Sequence, residues 1–210
     1  MAGRPVVDRP VAGRPVADGP AAGSPAAGGG ALTTRGGTLW LTGLPSAGKT
    51  TIAVALERLL VARGLRPFLL DGDDLREGLN VDLGFGEDDR AGNVRRLGEV
   101  AILLARLGHL SIVSAISPYA ASRKAVRERH ASLGLSFLEV YVSTPLAVCE
   151  ERDPKGLYAR ARRGELESFT GISAPYEAPE APDLSLAAIN ARQTPSPHHR
   201  RSRRRLSAIM

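Results

Sequence analysis

The sequence predicts an α/β fold in three layers, a parallel β-sheet covered by helices on both faces. Two observations carry this. Short runs that are apolar on both sides alternate with longer segments of helical period. The first run leads into Gly43-Leu44-Pro45-Ser46-Ala47-Gly48-Lys49-Thr50, which fits the phosphate-binding pattern G-x-x-x-x-G-K-[ST], and a helical segment follows at once. In such a sheet, ligands gather at the carboxyl ends of the strands.

The elements follow in order. Thr38-Leu39-Trp40-Leu41-Thr42 is a short buried strand, and Ile52, Val54, Ala55, Leu56, Leu59 and Leu60 give 51–60 a helical spacing. A second strand, 66–70, leads into Asp71-Gly72-Asp73. Val94, Leu97, Val100, Ala101, Leu104 and Leu107 mark a helix over 93–107. A third strand covers 110–115, a charged amphipathic helix 121–133, and a fourth strand 136–142. From Gly164 to Pro182 the pattern breaks into turns. The phosphate loop, Asp71 to Asp73 and Ser117 all fall at strand carboxyl ends.

The flanks differ from this middle. Residues 1–35 are mostly Ala, Gly, Pro and Val, with Gly3-Arg4-Pro5-Val6 repeated as Gly13-Arg14-Pro15-Val16; a run so rich in Pro and Gly is expected to be a disordered tail. Residues 192–210 hold six arginines and no acid, and read as a second, basic disordered tail. The net charge of +6 therefore resides in the ends, and the expected domain over 36–191 is nearly neutral. That distribution, with few aromatics, argues against nucleic acid as a partner. His198-His199 alone make no metal site. No apolar run reaches about 18 residues, so no membrane span is expected. Cys149 is the single cysteine, which excludes an internal disulfide or a cysteine metal site and suits a cytoplasmic location.

The loop implies a nucleoside triphosphate. Backbone N–H groups over Gly43, Ser46, Ala47, Gly48, Lys49, Thr50 and Thr51 can face phosphate oxygens at the N-terminus of the following helix. Lys49 is spaced to reach the β- and γ-phosphates, and Thr50 to offer its hydroxyl to Mg²⁺. Asp71 and Asp73 can hold Mg²⁺ or accept a proton from an attacking hydroxyl; an aspartate-rich turn with Asp73 or Asp74 capping a helix is the other reading. Arg76, Arg90, Arg95 and Arg96 cluster near the same edge, as bidentate partners for an anionic substrate or as helix residues paired with Asp89 or Glu99.

Together these residues resemble the adenylylsulfate kinase family of P-loop kinases, from about Gly37 to Leu184. The matching blocks are Trp40 to Leu44 with Gly48-Lys49-Thr50-Thr51; Leu70 to Arg76; Gly78 to Phe85; Asp89-Arg90; Asn93 to Arg96; Ile116-Ser117-Pro118-Tyr119; Glu139 to Val142; Thr144-Pro145-Leu146 with Cys149-Glu150; Arg152 to Tyr158; Phe169 to Ile172; and Pro175 to Pro179. The resemblance implies a three-layer P-loop kinase fold. It also implies transfer of the γ-phosphate of ATP to the 3′-hydroxyl of adenosine 5′-phosphosulfate. Asp73 would position Mg²⁺ and help deprotonate that hydroxyl, supported by Asp71. Arg76, Arg90 and Asn93 would bind the substrate, Phe85 and Phe169 would sandwich its adenine, and Ile116 and Ser117 would lie against it. In part of the family that serine is phosphorylated. Lys155 would belong to a mobile lid. A homodimer through the 93–107 helix, and coupling to a separate ATP sulfurylase, are implied as well.

Residue by residue, other readings remain: Phe85 and Phe169 as core packing, Ser117 as a helix cap, Lys155 as a solvated turn residue, Cys149 as a buried inert thiol. Two departures stand out. The family's Glu-Asn pair after Asp-Arg is here Gly92-Asn93, preceded by Ala91. After Asp183-Leu184 the family continues into a strand and a final amphipathic helix, whereas 185–190 supports one short element at most. Two alternative functions follow: another small-metabolite P-loop kinase, or a non-catalytic nucleotide-binding regulator.

Overall fold

The computed structural model describes residues 36–187. Both expected tails, with the repeated Gly-Arg-Pro-Val and His198-His199, lie outside the described residues, as do 188–191. In chain order the elements are β1 (Gly37–Thr42), α1 (Lys49–Val61), β2 (Pro67–Asp71), α2 (Gly72–Arg76), α3 (Glu87–Arg106), β3 (Leu110–Ser114), α4 (Ala120–Ser132), β4 (Ser136–Val142), α5 (Leu146–Arg152), α6 (Leu157–Arg162) and β5 (Leu184–Leu186). The five strands form one sheet in the order β2-β3-β1-β4-β5, and every neighbouring pair is parallel. No helix among the described residues is long and apolar enough to cross a membrane.

The central strand explains the layers. All of β1 is buried, and its side chains alternate between the two faces. Leu39 and Leu41 join Ile112, Val140 and Val142 in one core with Ala53 and Leu60 of α1, Cys149 of α5 and Tyr158 of α6. Trp40 joins Val113 and Phe137 in a second core with Val94, Leu97 and Ala101 of α3 and Val126 of α4. Helices thus cover both faces, as the apolar character of the strands requires.

Two features hold α4 close. A Cβ on Gly98 would stand 2.8 Å from Val126 Cγ2, so α3 and α4 meet where no side chain fits. His130 is fully buried, its Nε2 2.9 Å from Thr38 Oγ1 and its Nδ1 2.8 Å from the Val126 carbonyl. Burial lowers its pKa, so the ring sits there neutral.

Some expectations shift. α3 begins at Glu87, six residues before its apolar period, with Glu87, Asp88 and Asp89 in its first turn where the helix dipole favours acids. The short α2, α5 and α6 lack a readable period. The helix after β2 is capped by Asp71, whose carboxylate accepts the Asp73 N–H at 2.9 Å, and not by Asp73 or Asp74. Among the described residues the sheet ends at β5, which pairs Leu184 with Val140 and Leu186 with Val142.

Candidate functional site

The strand order places β2 and β3 on one side of β1 and β4 and β5 on the other. The loop after β1 therefore leaves the sheet at the switch point, where a crevice opens. Gly48 ends that loop at φ 101°, a left-handed conformation glycine adopts without strain, and it is the N-cap of α1. The α1 amides thus face the crevice with the positive end of the helix dipole behind them.

Lys49 is buried at the start of α1. Its Nζ donates to the carbonyls of Gly43 at 3.0 Å and Leu44 at 2.8 Å, so the ammonium is folded back onto its own loop. Burial lowers its pKa to about 8, partly offset by Asp73 and, more weakly, Asp71. Thr50 Oγ1 donates to Asp71 Oδ2 at 2.8 Å and lies 3.2 Å from Ser114 Oγ at the end of β3. These are hard oxygen donors from the first turn of α1 and the ends of β2 and β3. No group of three His, Cys, Asp or Glu side chains suited to a metal occurs among the described residues. The donors fit Mg²⁺, which is commonly held by one or two carboxylates plus substrate phosphates.

Asp73 is exposed and pairs with Lys155 at 2.7 Å. The pair links α2 to the turn before α6, and the hydrogen bond raises the Lys155 pKa. Both side chains are largely exposed, so this is a surface ion pair made by a turn residue. Asp153 Oδ1 and Oδ2 accept the N–H groups of Tyr158 and Ala159, and Tyr158 OH donates to the Pro45 carbonyl at 3.0 Å. The α6 segment is thereby tethered to the phosphate loop.

The arginines divide. Arg76 donates to the carbonyls of Leu83 and Gly84, and its guanidinium lies 4.5 Å from the centre of the Phe85 ring. Arg90 is buried and donates to the Phe85 carbonyl, the Thr170 hydroxyl and the Ser168 carbonyl. One guanidinium thus joins the segment carrying Phe85 to the segment carrying Phe169. Phe85 is 61% exposed, which rules out core packing for it. Phe169 is half-buried and meets Tyr158 edge-on, with ring centroids 5.0 Å apart. Arg96 pairs with Asp82 at 2.6 Å, and Arg129 pairs with Glu99 at 3.5 Å, so the pairing of the arginine cluster with Glu99 does not hold. Arg95 is exposed.

Ser117 sits just beyond the carboxyl end of β3, enclosed by its neighbours. It is 3% exposed, and its hydroxyl accepts from Trp40 Nε1 at 3.0 Å and donates to Thr42 Oγ1 at 3.0 Å. In this arrangement the hydroxyl is not exposed to solvent. Nor does it cap α4: the Ala120 N–H is met by Glu177 Oε2 at 2.6 Å. Ser46, Ser117 and Ser168 adopt left-handed backbone, with φ of 59°, 41° and 53°, and all three lie in loops. Ile116 is half-buried, and its carbonyl accepts from Thr42 Oγ1 at 2.8 Å. Cys149 is fully buried, as an inert thiol would be.

Sequence reasoning assigned no role to Arg123, which is 3% exposed. It donates to Glu139 Oε1 at 2.7 Å and to the carbonyls of Ser117 and Glu177, holding two crevice loops on β4. Its place in an amphipathic helix gave no sign of this. A separate groove of about 560 Å³ runs past Leu44, Tyr141, Leu146, Ile172 and Tyr176; Lys49, Thr50, Asp71 and Asp73 do not line it.

Residues 35–187 match the family model of adenylylsulphate kinase. The adenylyl-sulfate kinase of Saccharomyces cerevisiae is 56% identical over 151 residues, 72% of this chain and 75% of the relative. The bifunctional enzyme CysN/CysC of Mycobacterium tuberculosis is 55% identical over 152 residues, but the match spans only 25% of that protein's length. A solved structure of the Mycobacterium tuberculosis APS kinase CysC in complex with AMPPNP and APS has a TM-score of 0.73 and 54% identity, covering 75% of this chain and 91% of that one.

Proposed function

The chain belongs to the adenylylsulphate kinase family, and from that premise we propose that it transfers the γ-phosphate of ATP to the 3′-hydroxyl of adenosine 5′-phosphosulfate, releasing ADP and 3′-phosphoadenylyl sulfate. The observation that carries this reading is the two-sided crevice. A phosphate loop with Lys49 and Thr50 faces Asp71 and Asp73, beside a pocket edge of Arg76, Phe85, Arg90, Asn93 and Phe169.

Phosphoryl transfer is mostly positioning and charge neutralisation. The loop amides and Lys49 hold the β- and γ-phosphates, and Lys49 leaves the Gly43 and Leu44 carbonyls to do so. Mg²⁺ would be held by Thr50 and Asp73, with Asp71 bonded to Thr50, and when bound would neutralise charge between the two outer phosphates. Asp73 orients the 3′-hydroxyl and accepts its proton. Phe85 and Phe169 hold the purine by their faces. Arg76, Arg90 and Asn93 bind the phosphosulfate and nucleotide portion, and Ile116 lies against the substrate. Ser117 lies beside Ile116 in the loop against the substrate. Lys155, paired with Asp73, belongs to a lid that excludes water.

The catalytic unit is 36–191, a homodimer through α3, whose Leu103 and Leu107 are 59% and 74% exposed. Coupling to a separate ATP sulfurylase belongs to the same proposal. Substrate-dependent ADP release tests the assignment. Lys49→Ala and Asp73→Ala are each expected to lower turnover at least about 100-fold, because each removes transition-state stabilisation. Near-normal turnover in either variant contradicts its role.

A further inference from the structure

Among the described residues, the buried side-chain atom left without a hydrogen-bond partner is Asn80 Oδ1. Asn80 is fully buried in the loop between α2 and α3. The backbone around it is fixed: its N–H donates to the Leu75 carbonyl at 2.8 Å, and its carbonyl accepts from Leu83 at 3.1 Å. Arg96 and Arg76 hold the carbonyls of Leu79 and Leu83 on either side. Its Nδ2 donates to Asn93 Oδ1 at 2.9 Å.

An unpaired buried amide oxygen is destabilising, and an apolar side chain of similar volume would avoid it. What the arrangement supplies is a direction. A carboxamide has one accepting end and one donating end. Asn80 occupies the accepting end of Asn93. The Asn93 Nδ2 has no partner among the described residues and is not enclosed, since Asn93 keeps 8% exposure. Arg90 lies three residues earlier on α3, on the same helix face. Both groups then offer only N–H donors.

We propose that Asn80 is a positioning residue that locks the Asn93 carboxamide with its NH₂ end toward the substrate, so that this corner of the site selects a hydrogen-bond-accepting, anionic group. The inference rests on the proposed role of Asn93 as a substrate ligand. Without Asn80 the Asn93 amide can turn over and set its own oxygen against the anion.

The test compares the full chain with Asn80→Leu, Asn93→Ala and the double variant, by steady-state kinetics with ATP and adenosine 5′-phosphosulfate and by thermal melting. Asn80→Leu is expected to raise KM for adenosine 5′-phosphosulfate about tenfold or more and to leave KM for ATP within about twofold; thermal melting checks that the fold is kept, since the variant removes one unpaired oxygen, Asn80 Oδ1, and leaves another, Asn93 Oδ1, without its donor. In the Asn93→Ala background it should add less than about twofold, because the two residues act as one unit. An unchanged KM overturns the proposal. So does a parallel rise in both KM values with a lower melting temperature, and so does full additivity. Should Asn80→Leu not fold, Asn80→Ala serves: it too removes the donor to Asn93 Oδ1, so a parent-like KM for that variant also overturns the proposal. If the parent chain releases no ADP in response to adenosine 5′-phosphosulfate, the kinase reading fails first and this inference falls with it.

Discussion

Lys49 shows how a residue's identity can be legible while its state is not. The motif gave its position and the expectation of a phosphate ligand, but the fold adds that the ammonium is buried, held by two loop carbonyls, with a pKa lowered to about 8. The sign of the consequence is definite. Above about pH 8 the free chain has lost this proton, and bound phosphates favour the charged form. ATP binding should then take up a proton from solution. Well below pH 8 Lys49 is already charged and contributes no uptake. Calorimetry in two buffers of unequal ionisation enthalpy, at about pH 9 and about pH 6.5, reads this directly; equal uptake at both would contradict it. Ser117 and Arg123 mark the limit of residue-level reading. A serine at a strand end looks available, and an arginine in an amphipathic helix looks solvated. Only the approach of Trp40, Thr42, Glu139 and Glu177 from distant parts of the chain encloses them.

At the scale of elements, the long periodic segments were legible and the short ones were not. β1, β2, β3 and β4 end within a residue of where apolar runs place them, because buried parallel strands declare themselves by composition. The first turns of α3 were missed because Glu87, Asp88 and Asp89 carry a dipole preference and no apolar period. β5, with three residues, is defined by its register on β4. The α3–α4 contact gives the prediction proper to this scale. Gly98→Ala should destabilise the chain by about 1–3 kcal/mol, since the new methyl meets Val126 at 2.8 Å and overpacking outweighs the helix-propensity gain of about 1 kcal/mol. Adding Val126→Ala should recover part of the loss, and denaturant unfolding of both variants measures it. A Gly98→Ala chain as stable as the parent would show that the helices separate freely.

For the whole molecule, the fold class and the kinase family were legible because ordered motif blocks run across the same span as the family match, residues 35–187. The assembly is a matter of surface. Leu103 and Leu107 on α3, with Phe68 on the edge strand β2, remain exposed in the single chain, and two-fold pairing is the commonest way to cover such a face. Light scattering at micromolar concentration should give a dimer for the full chain and for one shortened after Ala191, since the basic segment lies beyond the matched residues. A monomer in both would overturn the pairing through α3.

The central claim is the transfer itself. Its most direct measurement follows ADP and the nucleotide product together, with ATP, Mg²⁺ and adenosine 5′-phosphosulfate supplied to the full chain. The account predicts one ADP for each 3′-phosphoadenylyl sulfate formed, and a far slower ADP release when adenosine 5′-phosphosulfate is omitted or replaced by a plain nucleoside. Well-folded protein that binds both nucleotides and forms no product, or that phosphorylates a nucleoside or sugar faster, would contradict it.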